Sequence, residues 1–464
     1  MKRRRAGIDN MDKDVRMVSL QRTTNKIVRR FWNSLGIKII SPLFISLLNT
    51  FVALGAAFVP SDLVVKVLSE PNVIYLNMPY ILVVLSSEIA FCAGIWLFPL
   101  LKGQHTLSIC RSPTLYPTRR LYLKALNLVL ISILYELFII IFMIVSIGQK
   151  RIELAFLNPN IANTLRLWII SASRVHGVNL LAFQFGVNAA LLVSFFIFIN
   201  IRLVRVRISM LSIHALASML YLLASSLSLS RWPIMAYLLS LAVLVVLKKN
   251  AGNGIGIRRV VVLSLSTLSI LVFVFMVFSY IRMGSENIAR SIVGYTIGSY
   301  NLGSAAISNI FVQPYSDSTY GALGMFWNAP VIGPYLRYFG RALGLDLPRS
   351  SVIEMGKTVV LWSDAVSKAN FNPTYLWDSI YGFLYSDISF WYLFVFFVYG
   401  FVSWYLYDGF IKLSLLKMLL YIVFFISLIT WFTSAFISNL PLDDFTFFAV
   451  LIALYLRRQW RLSF

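Results

Sequence analysis

Arginine residues beside apolar segments are the most informative reactive groups in this sequence. Arg231 occupies a short turn between two apolar runs, so its guanidinium must lie at a membrane surface if those runs cross a bilayer. Arg337 and Arg341 are spaced i, i+4, which places both on one face of a helix. Arg282 and Arg290 flank the end of a further apolar run. Because guanidinium donors match phosphate oxygens, the set predicts a diphosphate site, although lipid phosphates could hold the same side chains, most readily those of Arg282 and Arg290.

Acidic residues and one histidine could supply the base for transfer to a hydroxyl group, which must lose its proton in the reaction. Six acids and a histidine lie in segments that we place on the same side as these arginines. They are Asp317, Asp346, Glu354, Asp364, Asp378, Asp387 and His176. The pattern does not choose among them, and each residue taken singly is more simply interpreted as a solvated loop charge.

The elements that position these groups are apolar helices. Of the 464 residues, 59% are hydrophobic and only 13% are charged, and mean hydropathy is +0.79, whereas soluble domains carry about 25% charged residues. Ten apolar runs have lengths suited to crossing a bilayer or approach them. They cover residues 37–59, 78–101, 122–147, 178–201, 208–229, 233–247, 260–281, 388–407, 416–437 and 445–456. The sequence therefore predicts an all-α polytopic integral membrane protein of about ten transmembrane helices.

Charge distribution predicts which side each segment occupies, because Lys and Arg collect in cytoplasmic segments. With the basic N-terminus in the cytoplasm, 28 of the 41 basic residues fall on the cytoplasmic side and 13 outside. Only 4 of the 18 acidic residues fall inside, 12 lie outside and 2 lie within spans. The net charge of +23 is thus explained by topology, which argues against nucleic acid as a partner. Both termini are predicted to be cytoplasmic.

Four regions follow from this assignment. Residues 1–36 form a basic cytoplasmic segment, 37–281 hold spans one to seven, 282–387 form one large outer loop, and 388–464 hold spans eight to ten with a basic C-terminus. A loop of that length is usually functional, so we interpret it as a lid over the membrane mouth, with a purely structural plug as the alternative.

Other chemistries have little support in the sequence. Two cysteines supply neither a disulfide framework nor a zinc pattern, and no Gly-rich nucleotide loop or hydrolase motif occurs, so no metal or cofactor is predicted. Glu88 and Glu136 lie within predicted spans, where ionisable groups are functional candidates, and His214 lies near the cytoplasmic end of the fifth span. These three residues keep a transport function open.

Three segments resemble the bacterial oligosaccharide repeat-unit polymerases, the O-antigen polymerases of the Wzy type. Ser228-Leu229-Ser230-Arg231, followed by an apolar span and two lysines, looks like the small-small-Ser-Arg turn of that family. Residues 294–306, which include Tyr300, look like the start of its large periplasmic loop. Residues 372–374 and 387–389 look like the end of that loop, although Ile388-Ser389 replaces the Phe-Gly pair after the aspartate.

The resemblance implies a fold of the GT-C type in the bacterial inner membrane and a metal-independent glycosyltransferase on its periplasmic face. Such enzymes transfer a glycan from undecaprenyl pyrophosphate to a fresh lipid-linked repeat unit, with membrane lipids and a chain-length regulator protein as further partners. It implies that Arg231 contacts the pyrophosphate, and Tyr300 lies in a segment that carries the resemblance. Asp378, Asp387 and His176 join Arg231 as catalytic candidates because a carboxylate or an imidazole can act as the base, although the changed residues after Asp387 leave a turn-forming role open for it. Arg282, Arg290, Arg337 and Arg341 join Tyr300 as substrate-binding candidates from their chemistry more than from the resemblance.

Two other functions fit much of the same pattern. An O-antigen ligase would share the donor and differ only in its acceptor, and the sequence barely separates the two enzymes. A lipid-linked oligosaccharide flippase should show an internal repeat of spans and charged residues along a cavity, and no such repeat is visible here.

Overall fold

A computed structural model of the protein is a bundle of helices in the residues that it describes. These are residues 38–60, 62, 66–67, 76–101, 115–148, 153–154, 169, 174–175, 178–179, 183–228, 231–251, 257–283, 288–311, 333–344, 364–371, 379–431 and 440–461. The first seven long helices are α1 (Pro42–Ala56), α2 (Met78–Leu101), α3 (Arg119–Ile147), α4 (Phe183–Ile199), α5 (Val204–Leu227), α6 (Arg231–Ala251) and α7 (Ile257–Met283).

Shorter helices then lead into the last three long ones. The chain continues through α8 (Ile288–Val293), a π-helical turn (Gly294–Gly298), α9 (Ser299–Ile307), α10 (Gly333–Ala342), α11 (Ile380–Ile388), a 3-10 turn (Ser389–Trp391), α12 (Tyr392–Ile411), α13 (Leu415–Ile429) and α14 (Leu440–Arg461). Two-residue strands, β1 (Arg174–Val175) and β2 (Val178–Asn179), pair antiparallel before α4.

Local signals explain where several helices begin and end. Ser41 caps α1, because its hydroxyl accepts a hydrogen bond from the Phe44 amide, and Pro42 occupies the first turn. Thr118 caps α3 in the same way through the Leu121 amide. Gly148 ends α3 with a positive φ of 82°, a conformation that favours glycine. These helices are therefore bounded by backbone chemistry as well as by hydropathy.

The predicted spans correspond to helices, with shifted ends. The fourth helix begins at Phe183 rather than at residue 178, because Val178 and Asn179 hydrogen-bond to the preceding strand instead. The sixth and tenth predicted spans are longer as helices, since hydropathy stops at charged residues and helical hydrogen bonding does not. Helix α13, which corresponds to the ninth predicted span, ends at Ile429 and not at residue 437.

Apolar side chains on the outside of the bundle identify its solvent as lipid. Along α3, Ile131, Leu134, Phe138, Ile141 and Val145 are exposed and follow one another at helical spacing. Four helices of the described residues are long and apolar enough to cross a membrane, namely Met78–Leu101, Arg119–Ile147, Val204–Leu227 and Ser389–Ile411. Five shorter apolar helices accompany them, at Pro42–Ala56, Phe183–Ile199, Pro233–Lys248, Leu265–Ile281 and Leu415–Ile429. The protein is an α-helical membrane protein.

Side-chain contacts give the relative direction of the helices. Ser46 and Ala53 of α1 meet Glu88 and Tyr80 of α2, respectively, so α1 and α2 are antiparallel. By the same reasoning, α3 is antiparallel to α4, α4 to α5 and α12 to α13. The start of α2 and the start of α12 lie at one end of the bundle, which we call the α2 end, because these two helices run parallel. Lys124 donates to the Tyr455 carbonyl and Trp460 to the Leu413 carbonyl, so the start of α3, with Arg119 and Lys124, lies near the end of α12. We call this other end the α3 end.

The tightest helix pair is α2 with α12, which run parallel. Ser86 bonds Tyr392 near the start of α12, and Phe98 packs on Tyr405 further along. Gly94 lies against the backbone oxygen of Phe397, and Gly400 lies against that of Phe91, so each helix contributes the same Phe-x-x-Gly spacing. Because glycine has no side chain, the two backbones approach as in other close membrane helix pairs.

Gly400→Ala should destabilise the protein, because its new methyl group would overlap the Phe91 carbonyl and force the two helices apart. We expect a loss of about 1–3 kcal/mol, the usual cost of overpacking a well-packed core. Thermal unfolding in detergent measures the effect.

Gly55→Ala is the matched control, because nothing lies within 4 Å of a methyl group at that helical position. It should leave Tm unchanged or raise it. Equal unfolding temperatures for the two variants would contradict the reciprocal glycine contact.

Candidate functional site

The α2 end of the bundle carries a second layer, made of the short helices that follow α7. Helices α9 and α11 pack on each other, and both also pack on α2. All nine residues of α9 are buried, including the small residues Gly303, Ser304, Ala305 and Ala306. Small side chains thus let this helix pack closely within the bundle.

A π-helical turn leads into α9. It spans Gly294–Gly298, and the Ser299 hydroxyl donates to the Gly294 carbonyl at 3.2 Å. Single π turns widen a helix and are frequent at functional sites. The turn separates α9 from α8, which carries Arg290.

Three buried hydroxyl groups in this layer have no hydrogen-bond partner among the described residues. They belong to Tyr300 of α9, Tyr381 of α11 and Ser379, which precedes α11. Tyr300 is 1% exposed and its ring centroid lies 6.5 Å from that of Tyr80. A buried hydroxyl without a partner costs about 1–3 kcal/mol. Such a group is stable where a ligand or water supplies the missing partner.

Glu88 lies below these hydroxyls, ten residues into α2. Its carboxylate accepts hydrogen bonds from Ser46 at 3.0 Å, from Thr50 at 2.9 Å and from the Cys92 thiol at 3.3 Å. The Tyr381 hydroxyl lies near that of Thr50 without a hydrogen bond of standard geometry, and it is within electrostatic range of Glu88 and Tyr300. The acid is thus held by three donors at the floor of the layer, and it is 7% exposed.

Aromatic rings form one wall of the same region. Trp431 packs edge-on against Phe91, Tyr381 and Phe396, with ring centroids 5.3–6.0 Å apart. Its backbone carbonyl accepts a hydrogen bond of 2.9 Å from the Ile380 amide. Helix α11 is therefore fixed to the end of α13 through both backbone and rings. We call the group Glu88, Tyr300, Ser379, Tyr381 and Trp431 the polar seat.

The predicted substrate-binding residues divide into three groups. Tyr300 belongs to the polar seat, and Arg290 lies half-buried in α8, ten residues before it. Arg341 is exposed on α10, and Arg337 lies on the same helix, as the i, i+4 spacing predicts. Arg282 lies in the last turn of α7. The side chains of Arg282 and Arg337 are outside the described residues.

The predicted catalytic residues lie largely outside what the structure describes. Arg231 is the first residue of α6 and Asp387 belongs to α11, but neither side chain is described. Asp378 and His176 fall outside the described residues altogether. Their roles stay predictions.

Tyr381 and Ser379 were not predicted from the sequence, nor were the specific residues that bond Glu88. One signal was available, because Ser46 and Thr50 are spaced i, i+4 on α1 and so present two hydroxyls on one helix face. No local signal connects Tyr381 with Tyr300, since their contact depends on how α9 and α11 pack.

Comparison of the chain with models of known protein families, with curated proteins and with solved structures found no significant match. The candidate site is therefore interpreted from its own residues.

Tyr300→Phe and Tyr381→Phe should leave stability unchanged or raise it by about 1 kcal/mol, because each removes a buried hydroxyl that lacks a partner. Tyr399→Phe is the matched control, since the Tyr399 hydroxyl donates to Ser427 at 2.7 Å and its loss should cost about 1 kcal/mol. Thermal unfolding of the three variants measures the difference. A Tyr300 or Tyr381 variant as destabilised as Tyr399→Phe would show that its hydroxyl is bonded within the protein.

Proposed function

We propose that the protein is a glycosyltransferase that polymerises oligosaccharide repeat units carried on undecaprenyl pyrophosphate, as O-antigen polymerases do. In this proposal it lies in the bacterial inner membrane and acts at the periplasmic face. The donor is a lipid-linked glycan and the acceptor is a fresh lipid-linked unit. No metal or other cofactor takes part, and a chain-length regulator is a candidate partner.

The proposed topology has ten spans, namely α1 to α7 and α12 to α14, with both termini in the cytoplasm. It is supported by the helix directions, because α2 and α12 would both run inward and their side chains pair in parallel. It is also supported by charge, since Lys124, Arg202, Arg205, Lys412 and Arg457 all lie at or near helix termini of the α3 end. The positive-inside rule assigns that end to the cytoplasm. The large loop 282–387 then lies outside.

The observation that carries the proposal is the polar seat, which forms where the helices of that loop pack on α2. Sugars are dense in hydroxyl groups, each of which can both donate and accept a hydrogen bond. Unpartnered hydroxyls of Tyr300, Ser379 and Tyr381 suit such a ligand, and aromatic rings supply an apolar surface beside them. The seat lies at the end of the bundle where α6 begins at Arg231 and where α8 carries Arg290.

The reaction requires a base, a clamp and two tethered substrates. A base takes the proton of the acceptor hydroxyl, whose oxygen attacks the anomeric carbon while the bond from that carbon to pyrophosphate breaks. Arginines offset the charge that develops on the departing pyrophosphate. In the proposal Arg231 is the pyrophosphate contact, Arg282, Arg290, Arg337 and Arg341 assist, and Asp378, Asp387 or His176 is the base.

Two alternatives use some of the same features. An O-antigen ligase would keep the donor chemistry and transfer the glycan to a different acceptor. A flippase would move the lipid-linked unit without bond chemistry, and the buried acids Glu88 and Glu136 favour it because transport pathways often contain intramembrane carboxylates.

Arg231→Ala should abolish polymer formation, because the leaving pyrophosphate would lose its paired donors. Purified protein incubated with lipid-linked repeat units should give a ladder of glycans on a gel, and the variant should leave single units. The matched control is Arg205→Ala, which removes an exposed arginine at the α3 end and should keep the ladder. A full ladder from Arg231→Ala would contradict the clamp, while wild-type protein that makes no ladder but scrambles lipid-linked units in liposomes would favour the flippase.

Cysteine labelling tests the topology. In a background lacking Cys92 and Cys110, Leu343→Cys should react with a membrane-impermeant maleimide added to spheroplasts, because Leu343 is exposed after α10 in the outer loop. Arg205→Cys, exposed at the α3 end, should react only after the membrane is opened. The reverse pattern would invert the proposed orientation.

A further inference from the structure

A second buried acid, Glu136 of α3, lies apart from the polar seat and has no role in the proposed reaction. It is fully buried, and its Oε2 accepts a single long hydrogen bond of 3.4 Å from the Gln184 amide of α4. Its Oε1 has no partner among the described residues. A carboxylate in this setting is unstable unless a positive charge joins it. The smallest such charge is a proton.

Asn188 adds to the local excess of hydrogen-bond acceptors. It lies one turn along α4 from Gln184, and its amide nitrogen donates to the Tyr221 hydroxyl at 3.3 Å. Its amide oxygen is buried and has no partner among the described residues. The buried Ser225 hydroxyl, one turn along α5 from Tyr221, faces the Tyr221 side chain and can donate one hydrogen. Two accepting oxygens and one further hydroxyl thus lie near Tyr221, and a proton on the Glu136 carboxyl would supply a second donor.

A chain of polar side chains leads from Tyr221 to His214 along α5. The rings of Tyr221 and Tyr237 lie 5.1 Å apart, and the Tyr237 hydroxyl is 2.6 Å from that of Ser218. The Ser218 hydroxyl donates to the His214 backbone carbonyl at 2.8 Å, and its oxygen is 3.3 Å from Nδ1 of His214. Glu136 bonds Gln184 and His214 bonds Leu191, so the two ends of this chain of side chains are separated by about 10 Å along α4, at the rise of an α-helix.

The partner of His214 fixes which of its nitrogens can accept a proton. Nε2 lies 3.1 Å from the backbone carbonyl of Leu191, which can only accept, so Nε2 carries the hydrogen in the neutral ring. Nδ1 is therefore the basic nitrogen, and it faces Ser218. The histidine is oriented to exchange a proton with the hydroxyl chain.

We propose that Glu136 is an intramembrane proton-binding site that exchanges its proton with His214 through Tyr221, Tyr237 and Ser218. When a proton moves from His214 to Glu136, an N–H bond breaks at Nδ1 and an O–H bond forms on the carboxylate. Each hydroxyl between them accepts one proton and donates one, so the chain ends unchanged. The step between the two tyrosines is a rotation of a phenol O–H or a bridging water.

A metal cation fits this place less well than a proton. Hard cations such as Ca²⁺ and Mg²⁺ take about six oxygen ligands or more. The oxygens that the described residues bring here are two from Glu136 and one each from Asn188, Tyr221 and Ser225. These five oxygens, with a single carboxylate among them, fall short of that number and suit a shared proton better than a metal ion.

A test must distinguish the titration of Glu136 and His214 from that of the other titratable groups near them. Helices α4, α5 and α14 pack on α3. Tyr135 and Tyr221 face Glu136, α4 presents the amides of Gln184 and Asn188, and the side chains of Asp443 and Asp444 at the start of α14 are outside the described residues.

His214 has a different set of neighbours. Helices α3, α4 and α6 pack on α5, and the rings of Phe195 and Phe198 from α4 surround the imidazole. Tyr237 of α6 faces it through Ser218. Arg207 lies two turns earlier on α5 and interacts with Lys248 of α6. Variants at Glu136 itself therefore decide the assignment.

Infrared difference spectra of the purified protein, recorded while pH is stepped, test the proton site. We expect a buried carboxylic-acid band that shifts in D₂O and disappears in Glu136→Gln. Glu88→Gln is the matched control and should keep the band, because Glu88 is also an intramembrane acid but accepts three hydrogen bonds. A band that survives in Glu136→Gln, or that responds to sodium at constant pH, would overturn the proposal.

The rate at which the carboxylic-acid band appears after a rapid pH step tests the chain. Ser218→Ala should keep the band but slow its appearance, since it leaves the carboxyl intact and removes the hydroxyl between His214 and Tyr237. A band that appears at the wild-type rate in Ser218→Ala would overturn the relay, and neither readout depends on glycan transfer.

Discussion

The reciprocal contact of two glycines with two backbone carbonyls fixes the centre of this protein. Gly94 and Gly400 let α2 and α12 approach to backbone distance in parallel. In lipid there is no hydrophobic force between helices, so close packing of this kind and interhelical hydrogen bonds hold a bundle together. The pair carries Glu88 on one helix and is preceded on the other by α11. Its geometry therefore sets the spacing of the polar seat.

The buried polar groups of the described residues fall into two classes, those bonded within the protein and those without a partner. Glu88, Tyr399 and Asn49 are bonded within the protein, the last to the Leu428 carbonyl at 2.5 Å, and they join helices. Tyr300 and Tyr381 are buried without partners where the loop helices meet α2. The first class explains cohesion. The second, which costs stability unless a ligand completes it, is where we propose that a sugar binds.

Much of the helical framework could be predicted because a backbone in hydrocarbon must satisfy its own hydrogen bonds, so an apolar run has few alternatives to a helix. Helix ends were less predictable. The fourth predicted span begins at Val178, yet Val178 and Asn179 pair with a strand. The shared spacing of Phe91 with Gly94 and of Phe397 with Gly400 is visible in the sequence but acquires meaning only once α2 and α12 are known to be neighbours. Tyr300 was identified, whereas Tyr381 was not, because only the packing of α9 on α11 brings them together.

The most direct test of the account is a cryo-electron microscopy map of the protein in nanodiscs loaded with an undecaprenyl pyrophosphate-linked repeat unit. We expect sugar density within hydrogen-bond distance of the Tyr300 and Tyr381 hydroxyls, with the pyrophosphate beside Arg231. Ligand density bound elsewhere on the protein, with both hydroxyls still buried and unpartnered, would contradict it.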